Sequence, residues 1–304
     1  MIVDLPNTTV SKVAKKLQEL RDSGGVVALG RVLTLLIDTD ANNFEDAVAA
    51  ANAASRLHPS RILLLSRGSA SADSKLDAEI RVGGDAGASE VVVLRPQGKA
   101  LSNPEALVTG LLLPDAPVVT WWPDAAPTSP SDSPFGKISS RRLTDSAATA
   151  EPVVFLRELE RNYVPGDGDM SWTRITLWRS QLAALINEHL ERSVTKVEVF
   201  GSENSPSAWL LLSWLEMNLN AESQLISSVA GHDLQGITGV TITFNDGSLS
   251  ILREGTIAKI TQTGKPNTQV LLPKRSDQDC LIEDMRFLGE DEVYGEVLHH
   301  FGKR

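Results

Sequence analysis

The sequence predicts an α/β protein of two domains: an N-terminal domain on a mixed α/β sheet, residues 1–150, then a second α/β domain, residues 151–304, containing an antiparallel β-meander with flanking helices. Three observations point there. Apolar runs in the first half, at residues 25–38 and 61–66, are hydrophobic on both faces, as strands covered on two sides are. Residues 237–272 instead alternate, with Val240, Ile242 and Phe244 sharing one face. A chain of 304 residues is long enough for two domains, each with its own core.

The elements follow in order. The opening MIVDLPNTTVSK reads as turn-like, after which Thr8 or Thr9 can cap a helix through Val10, Val13, Ala14, Leu17 and Leu20 that Gly24 and Gly25 stop. The run at 25–38 is a central strand, the alanine-rich 43–57 a helix closed by His58-Pro59, and 61–66 the next strand. Two short strands, 75–82 and 90–95, flank GGDAGAS at 83–89, and Ser102 or Asn103 caps a helix running to Leu112. Val118 to Thr120 form a buried strand ended by Pro123. If it continues through Trp121 and Trp122, those side chains face opposite ways. Residues 123–140, rich in Pro, Ser, Asp and Ala, lack periodicity and are long for a connection, the mark of a functional or mobile loop.

Past Arg141 and Arg142, residues 152–163 read as a helix, followed by a turn-rich stretch and a helix capped near Asp169 or Ser171. A strand at 195–200 precedes Ser205-Pro206, a cap residue with proline at the first helical position. The helix after it is apolar nearly all round and so belongs inside. NDGS at 245–248 is a hairpin turn. Two helices close the chain, the first starting at a capping-box-like Ser276 and Asp279, the last with Val293, Tyr294, Val297, Leu298 and Phe301 on one face.

Composition excludes several classes. A formal charge of −10 argues against nucleic acid or anionic membrane as a partner, because either begins with a basic face. No apolar run reaches the roughly 20 residues of a transmembrane helix. The amino terminus lacks the basic-then-apolar order of a secretory signal, so a cytoplasmic protein is expected. Cys280 is the single cysteine; no metal site is expected, and a buried structural thiol is the reading for it.

The search for chemistry finds no GxGxxG after a strand, no HExxH and no GxSxG, and the pairs Gly136-Lys137 and Gly264-Lys265 lack the rest of a phosphate loop. No catalytic residues and no cofactor are expected. The glycines of GGDAGAS suit a loop between strands better than an anion nest. His58 and Arg61 in LHPSR are candidates to orient a ligand, although a histidine before proline at a helix end has a structural explanation; His299 and His300 are helix C-terminal residues. The richest constellation is Tyr163, Asp167, Asp169, Trp172, Arg174, Trp178 and Arg179, since aromatic and arginine side chains concentrate where one protein buries another. Arg174 and Trp178, four apart, share a helix face and can stack. With Trp121, Trp122, Arg141 and Arg142 they form the candidate partner-binding set, beside the 123–140 loop. The competing reading has Trp172, Ile175, Leu182 and Ile186 as a core face, and both residues of the Trp121-Trp122 pair packed between domains. Three functions stay open on residues alone: a non-catalytic protein that binds and regulates another, an enzyme without a short motif, and a sugar-phosphate or nucleotide sensor.

GRVLTL at 30–35, ASRLHPSR at 54–61, LLLPDAPVV with WWP around Trp121, RRLTD, YVPGDGDMSWTR, SPSAWLL and DEVYGE together resemble the OpcA family, the glucose-6-phosphate dehydrogenase assembly proteins of actinobacteria. The resemblance runs along nearly the whole chain, in order. It implies a non-catalytic partner, an assembly factor or allosteric activator that binds glucose-6-phosphate dehydrogenase at the NADPH-producing entry to the pentose phosphate pathway, and brings no catalytic residues. Ser60 departs from the family pattern, which has HPCR where this chain has HPSR. With Cys280 the sole thiol, an intramolecular disulfide switch is excluded here.

Overall fold

A computed structural model describes residues 1–23, 30–40, 44–82, 90–230 and 232–304. These form two compact units: Met1–Asp145 with Gly166–Gly168 and Asp277–Glu290, and Ser146–Pro165 with Asp169–Ser276 and Asp291–Arg304. A single boundary near residue 150 therefore differs from the contact pattern, in which two later segments return to the first unit. The mixed α/β class expected for both halves is present.

In the first unit β1 (Ile2–Leu5), α1 (Val10–Ser23), β2 (Leu33–Asp40), α2 (Phe44–Ser55), β3 (Ser60–Arg67), β4 (Lys75–Arg81), β5 (Glu90–Gln97), α3 (Pro104–Thr109), β6 (Val118–Trp122), β7 (Arg141–Thr144) and β8 (Asp167–Asp169) make an eight-stranded sheet ordered β1-β4-β5-β3-β2-β6-β7-β8. The strands β5, β3, β2, β6 and β7 run parallel, and β4 and β1 join antiparallel at one side. Burial on both faces is why β2 and β3 read as continuous apolar runs. Leu36, Leu63, Leu65, Val92, Val118 and Trp122 pack with Val13 and Leu17 of α1 and Val108 of α3. Leu35, Ile37, Ile62, Leu64 and Val119 alternate with them and are also fully buried. The small residues Ala47, Ala51 and Ala54 let α2 lie close against β2 and β3.

The expectation of a turn at the amino terminus is corrected: Ile2–Leu5 pairs antiparallel with β4, Ile2 opposite Arg81. Four half-exposed residues give too short a pattern to announce a strand. The expected strand at 25–38 begins only at Leu33 and extends to Asp40; its residues 25–29, the stop signal Gly24-Gly25 and the whole of GGDAGAS lie outside the described residues. The helix expected to reach Leu112 is a 3-10 turn, Gly98–Ser102, and then the short α3, with Asn103 accepting from the Ala106 N–H.

The second unit runs α4 (Pro152–Arg161), α5 (Met170–Thr173), α6 (Thr176–Asn187), β9 (Val194–Gly201), α7 (Pro206–Leu219) and β10 (Glu222–Ile226). A ribbon of β11 (Ser228–Val229) and β12 (His232–Asp233) precedes the meander β13 (Ile237–Phe244), β14 (Gly247–Glu254), β15 (Ile257–Gln262) and β16 (Thr268–Leu271). The six-stranded sheet is ordered β10-β9-β13-β14-β15-β16, with only the β10/β9 pair parallel. Gly247 at φ 151° closes the Asn245-Asp246 hairpin, where an added Cβ would sit 2.6 Å from Thr263. Helix α8 (Asp277–Asp284) belongs to the first unit and packs on α2, while α9 (Glu292–Gly302) belongs to the second and packs on α7.

Val197, Val199, Val240, Ile242 and Ile251 of the sheet meet Leu210, Leu211 and Leu215 of α7 and Val297, Leu298 and Phe301 of α9 in one core. Two details differ from expectation. Val293 is exposed, lying on the flank of the α9 stripe. The single helix expected from Asp169 onward is two, because Arg174 caps α5 and Ile175 takes a non-helical conformation before α6.

Candidate functional site

In an open parallel sheet, ligands favour the crevice beyond the strand carboxyl ends where the strand order reverses. Here that point lies between β2 and β6, whose neighbours are β3 on one side and β7 on the other. Polar side chains of the protein bond one another beside it. Asp38 is buried near the end of β2; Arg67 grips its carboxylate with Nε at 2.7 Å and with Nη2, and Trp122 donates its indole N–H at 3.0 Å. Thr39 donates to Asp124 at 2.6 Å, and the Asp40 N–H donates to the same carboxylate at 3.2 Å. Burial raises the Asp38 pKa above the usual carboxylate range, against the opposing pull of Arg67 and Trp122. Residues 41–43, which follow, lie outside the described residues.

The structure places Trp121 and Trp122 as strand alternation requires, on opposite faces and each 1% exposed. Neither indole is available to a partner in this conformation. The 123–140 loop is ordered by its own prolines and serines. Pro130–Asp132 and Gly136–Ile138 form 3-10 turns, Phe135 enters the core of the first unit, and Ser139 bonds both Thr120 and the Phe135 carbonyl. A Cβ on Gly136 would meet the Pro130 carbonyl oxygen at 1.7 Å, so only glycine fits that turn. Ala125, Asp132, Pro134 and Lys137 form its exposed rim.

The remaining candidates are mostly internal. In the first unit Arg141 reaches Asp284 at 2.9 Å, and Arg142 pairs with Asp167, all four buried. His58 lies 3.0 Å from the Ile282 carbonyl, and Arg61 holds Glu90 at 2.8 Å and the Leu111 carbonyl at 2.5 Å. Those contacts occupy the side chains expected to orient a ligand. In the second unit Asp169 caps α5 through the Ser171 N–H and also accepts from Ser146. Trp172 donates to Asp291 at 2.8 Å and carries the Arg179 guanidinium 3.6 Å from its ring centre; Tyr163 packs edge-on against Tyr294. The cation above Trp178 is Arg253, at 5.3 Å.

Arg174 and Trp178 both line a cavity of about 310 Å³. Its lining brings Arg174 from the α5/α6 junction together with Ser205 and Ser207 at the start of α7, Gly236 and Ile237 at the start of β13, Arg253 of β14, and Lys274 with Arg275 beyond β16. Sequence reasoning missed Arg253, Lys274 and Arg275. They lie tens of residues from Arg174, and only the folding of the meander assembles them; the one local signal was the Ser205-Pro206 helix start.

No curated protein sequence matches the chain. Among solved structures, it is similar to an oxidoreductase from Sinorhizobium meliloti (11% identity, TM-score 0.48, covering 88% of this chain and 94% of that one). It is also similar to biliverdin reductase from Synechocystis (9% identity, TM-score 0.43, covering 88% and 97%). Likeness at that level carries no functional argument. The family matches are of another kind: residues 51–161 match the family described as glucose-6-phosphate dehydrogenase subunit N-terminal domain, and residues 165–298 match the corresponding C-terminal domain. The two matches follow in sequence order and together take in most of the chain, which therefore belongs to the OpcA family of glucose-6-phosphate dehydrogenase assembly proteins.

Proposed function

We propose that this protein is a non-catalytic, cytoplasmic partner that binds glucose-6-phosphate dehydrogenase and supports its assembly and activity, acting as an allosteric activator where the oxidative pentose phosphate pathway generates NADPH. The paired family matches, one to each half of a subunit of that enzyme, carry the reading. The side chains near the switch point are in keeping with it, since Asp38, Arg67, Trp122 and Asp124 there bond groups of the protein itself.

For the contact with the enzyme, the exposed rim of the 123–140 loop is the favoured part of the first unit. It combines Pro134 and Ala125 with Asp132 and Lys137 on an ordered backbone, so docking costs little ordering. In the second unit the half-exposed Arg174 and Arg179 are the candidates. The decisive assay follows NADPH formation from glucose 6-phosphate. This protein alone is expected to give none, and adding it to the dehydrogenase is expected to raise the rate or the assembled fraction. Turnover by this protein alone, or an unchanged dehydrogenase on mixing, overturns the proposal.

A further inference from the structure

We infer that the cavity between Trp178, Arg253 and Lys274 in the second unit is a binding site for a small phosphorylated metabolite, a site that goes beyond the assembly role and does not depend on it. Arg253 and Lys274 line it beside Arg174 and Arg275, the last of which also donates to the Thr173 carbonyl at 2.7 Å, and no aspartate or glutamate is among the described lining residues, in a chain whose formal charge is −10. Concentrating positive charge in a concavity of an acidic protein is the arrangement that draws in an anion.

Arg253 is the telling member. It is half-buried, and its contacts among the described residues are the Ile237 carbonyl, to which Nη2 donates, and the face of Trp178. Neither neutralises it. The fully buried arginines among the described residues, Arg61, Arg141 and Arg142, each face a carboxylate. A partly desolvated guanidinium without a carboxylate is costly unless an anion arrives from outside.

The wall opposite completes the case. Ser205 caps the fourteen-residue α7, and Ser207 follows within its first turn. Pro206 has no N–H, and those of Ala208 and Trp209 bond Ser205, so this end of the helix offers the Ser207 N–H and the partial positive charge of the helix dipole. Phosphate suits this mixture of fork-shaped and point donors, because its oxygens accept from guanidinium, ammonium and backbone N–H together. The rest of the lining is apolar, with Ile175, Trp178 and Ile237 offering a surface for an organic body attached to the phosphate. A volume of about 310 Å³ is at the small end for a metabolite site and far below that of a polymer groove.

The test is calorimetric titration of the full-length protein, without the dehydrogenase, using inorganic phosphate, glucose 6-phosphate and glucose as probes. We expect saturable one-to-one binding of glucose 6-phosphate with Kd below about 1 mM, tighter than phosphate alone, and no binding of glucose. Arg253→Gln and Lys274→Gln should each weaken binding about tenfold or more, the loss expected when one charge-assisted contact is removed. Lys259→Gln, an exposed change on β15, should leave it unchanged. The exposed position of Lys274 keeps the test valid if Arg253→Gln folds poorly. No saturable binding, binding of phosphate but not of the ester, or equal weakening by all three substitutions overturns the inference. Any of these leaves the assembly proposal standing, because the enzyme is absent from the titration.

Discussion

Arg61 in the first unit and Arg253 in the second show what separates a structural charge from a receptive one. Arg61 is 5% exposed, and its guanidinium is shared between the Glu90 carboxylate and the Leu111 carbonyl, while Glu90 also takes Arg21 at 2.7 Å. That cluster closes on itself. Arg253 sits in a cavity wall facing a carbonyl and an indole, with no carboxylate among the described residues. The first unit has an open, partly parallel sheet whose described polar side chains near the switch point bond one another; the second leaves a hollow lined by cations. Topology alone would direct the search to the wrong unit.

The largest effect that would break this contrast is Trp122→Ala. Its indole is buried in the core of the first unit and holds Asp38, so the variant should lose about 3–5 kcal/mol in urea unfolding. A loss below about 1 kcal/mol would mean that the switch point is not sealed by packing. Glu90→Ala should cost about 3 kcal/mol, because it strands the buried Arg61 without a counter-charge. Arg253→Leu should change stability by less than about 1 kcal/mol, since the half-buried cation gives up one carbonyl contact and sheds an unneutralised charge. If the Glu90 and Arg253 variants lose equally, the distinction between the two arginines fails.

Much of this arrangement was legible in the sequence. The two-face apolar runs of β2 and β3, the alternation of β13, the Asn245-Asp246 turn and the Ser205-Pro206 start are local patterns with local causes; each marks its element, although β2 spans Leu33–Asp40 and not the whole run at 25–38. Strand alternation also separated Trp121 from Trp122. What stayed hidden is long-range. Nothing near Arg142 or Trp172 in sequence reveals that Asp167 and Asp291 bond them within the fold. The lining of the cavity was invisible for the same reason, being drawn from positions 147 to 275.

Acid titration sharpens the account of the sealed crevice. Burial raises the Asp38 pKa above its usual 3.8, so the folded state holds this proton more tightly than the unfolded chain does. Its contribution is therefore fully present below 3.8 and is lost as pH rises through the raised folded value. Stability measured relative to Asp38→Asn should fall across that window as pH increases. A difference that stays flat, or grows with pH, would show Asp38 to be solvated and the crevice open.

The smallest effect tests the loop rather than the core. Lys137 and Asp132 are exposed on 3-10 turns whose geometry is set by Pro130, Gly136 and Ser133, not by their own side chains. Lys137→Ala and Asp132→Ala should therefore move the unfolding free energy by no more than about 0.5 kcal/mol. If the rim meets the dehydrogenase, the same substitutions should weaken activation and change its salt dependence, because rim charges act mainly on association. Gly136→Ala provides the opposite control: its Cβ would collide with Pro130, so it should disturb the loop and lower the melting temperature. Normal activation by both surface variants, together with lost activation in Gly136→Ala, would mean that the loop matters through its fold and that the enzyme docks elsewhere.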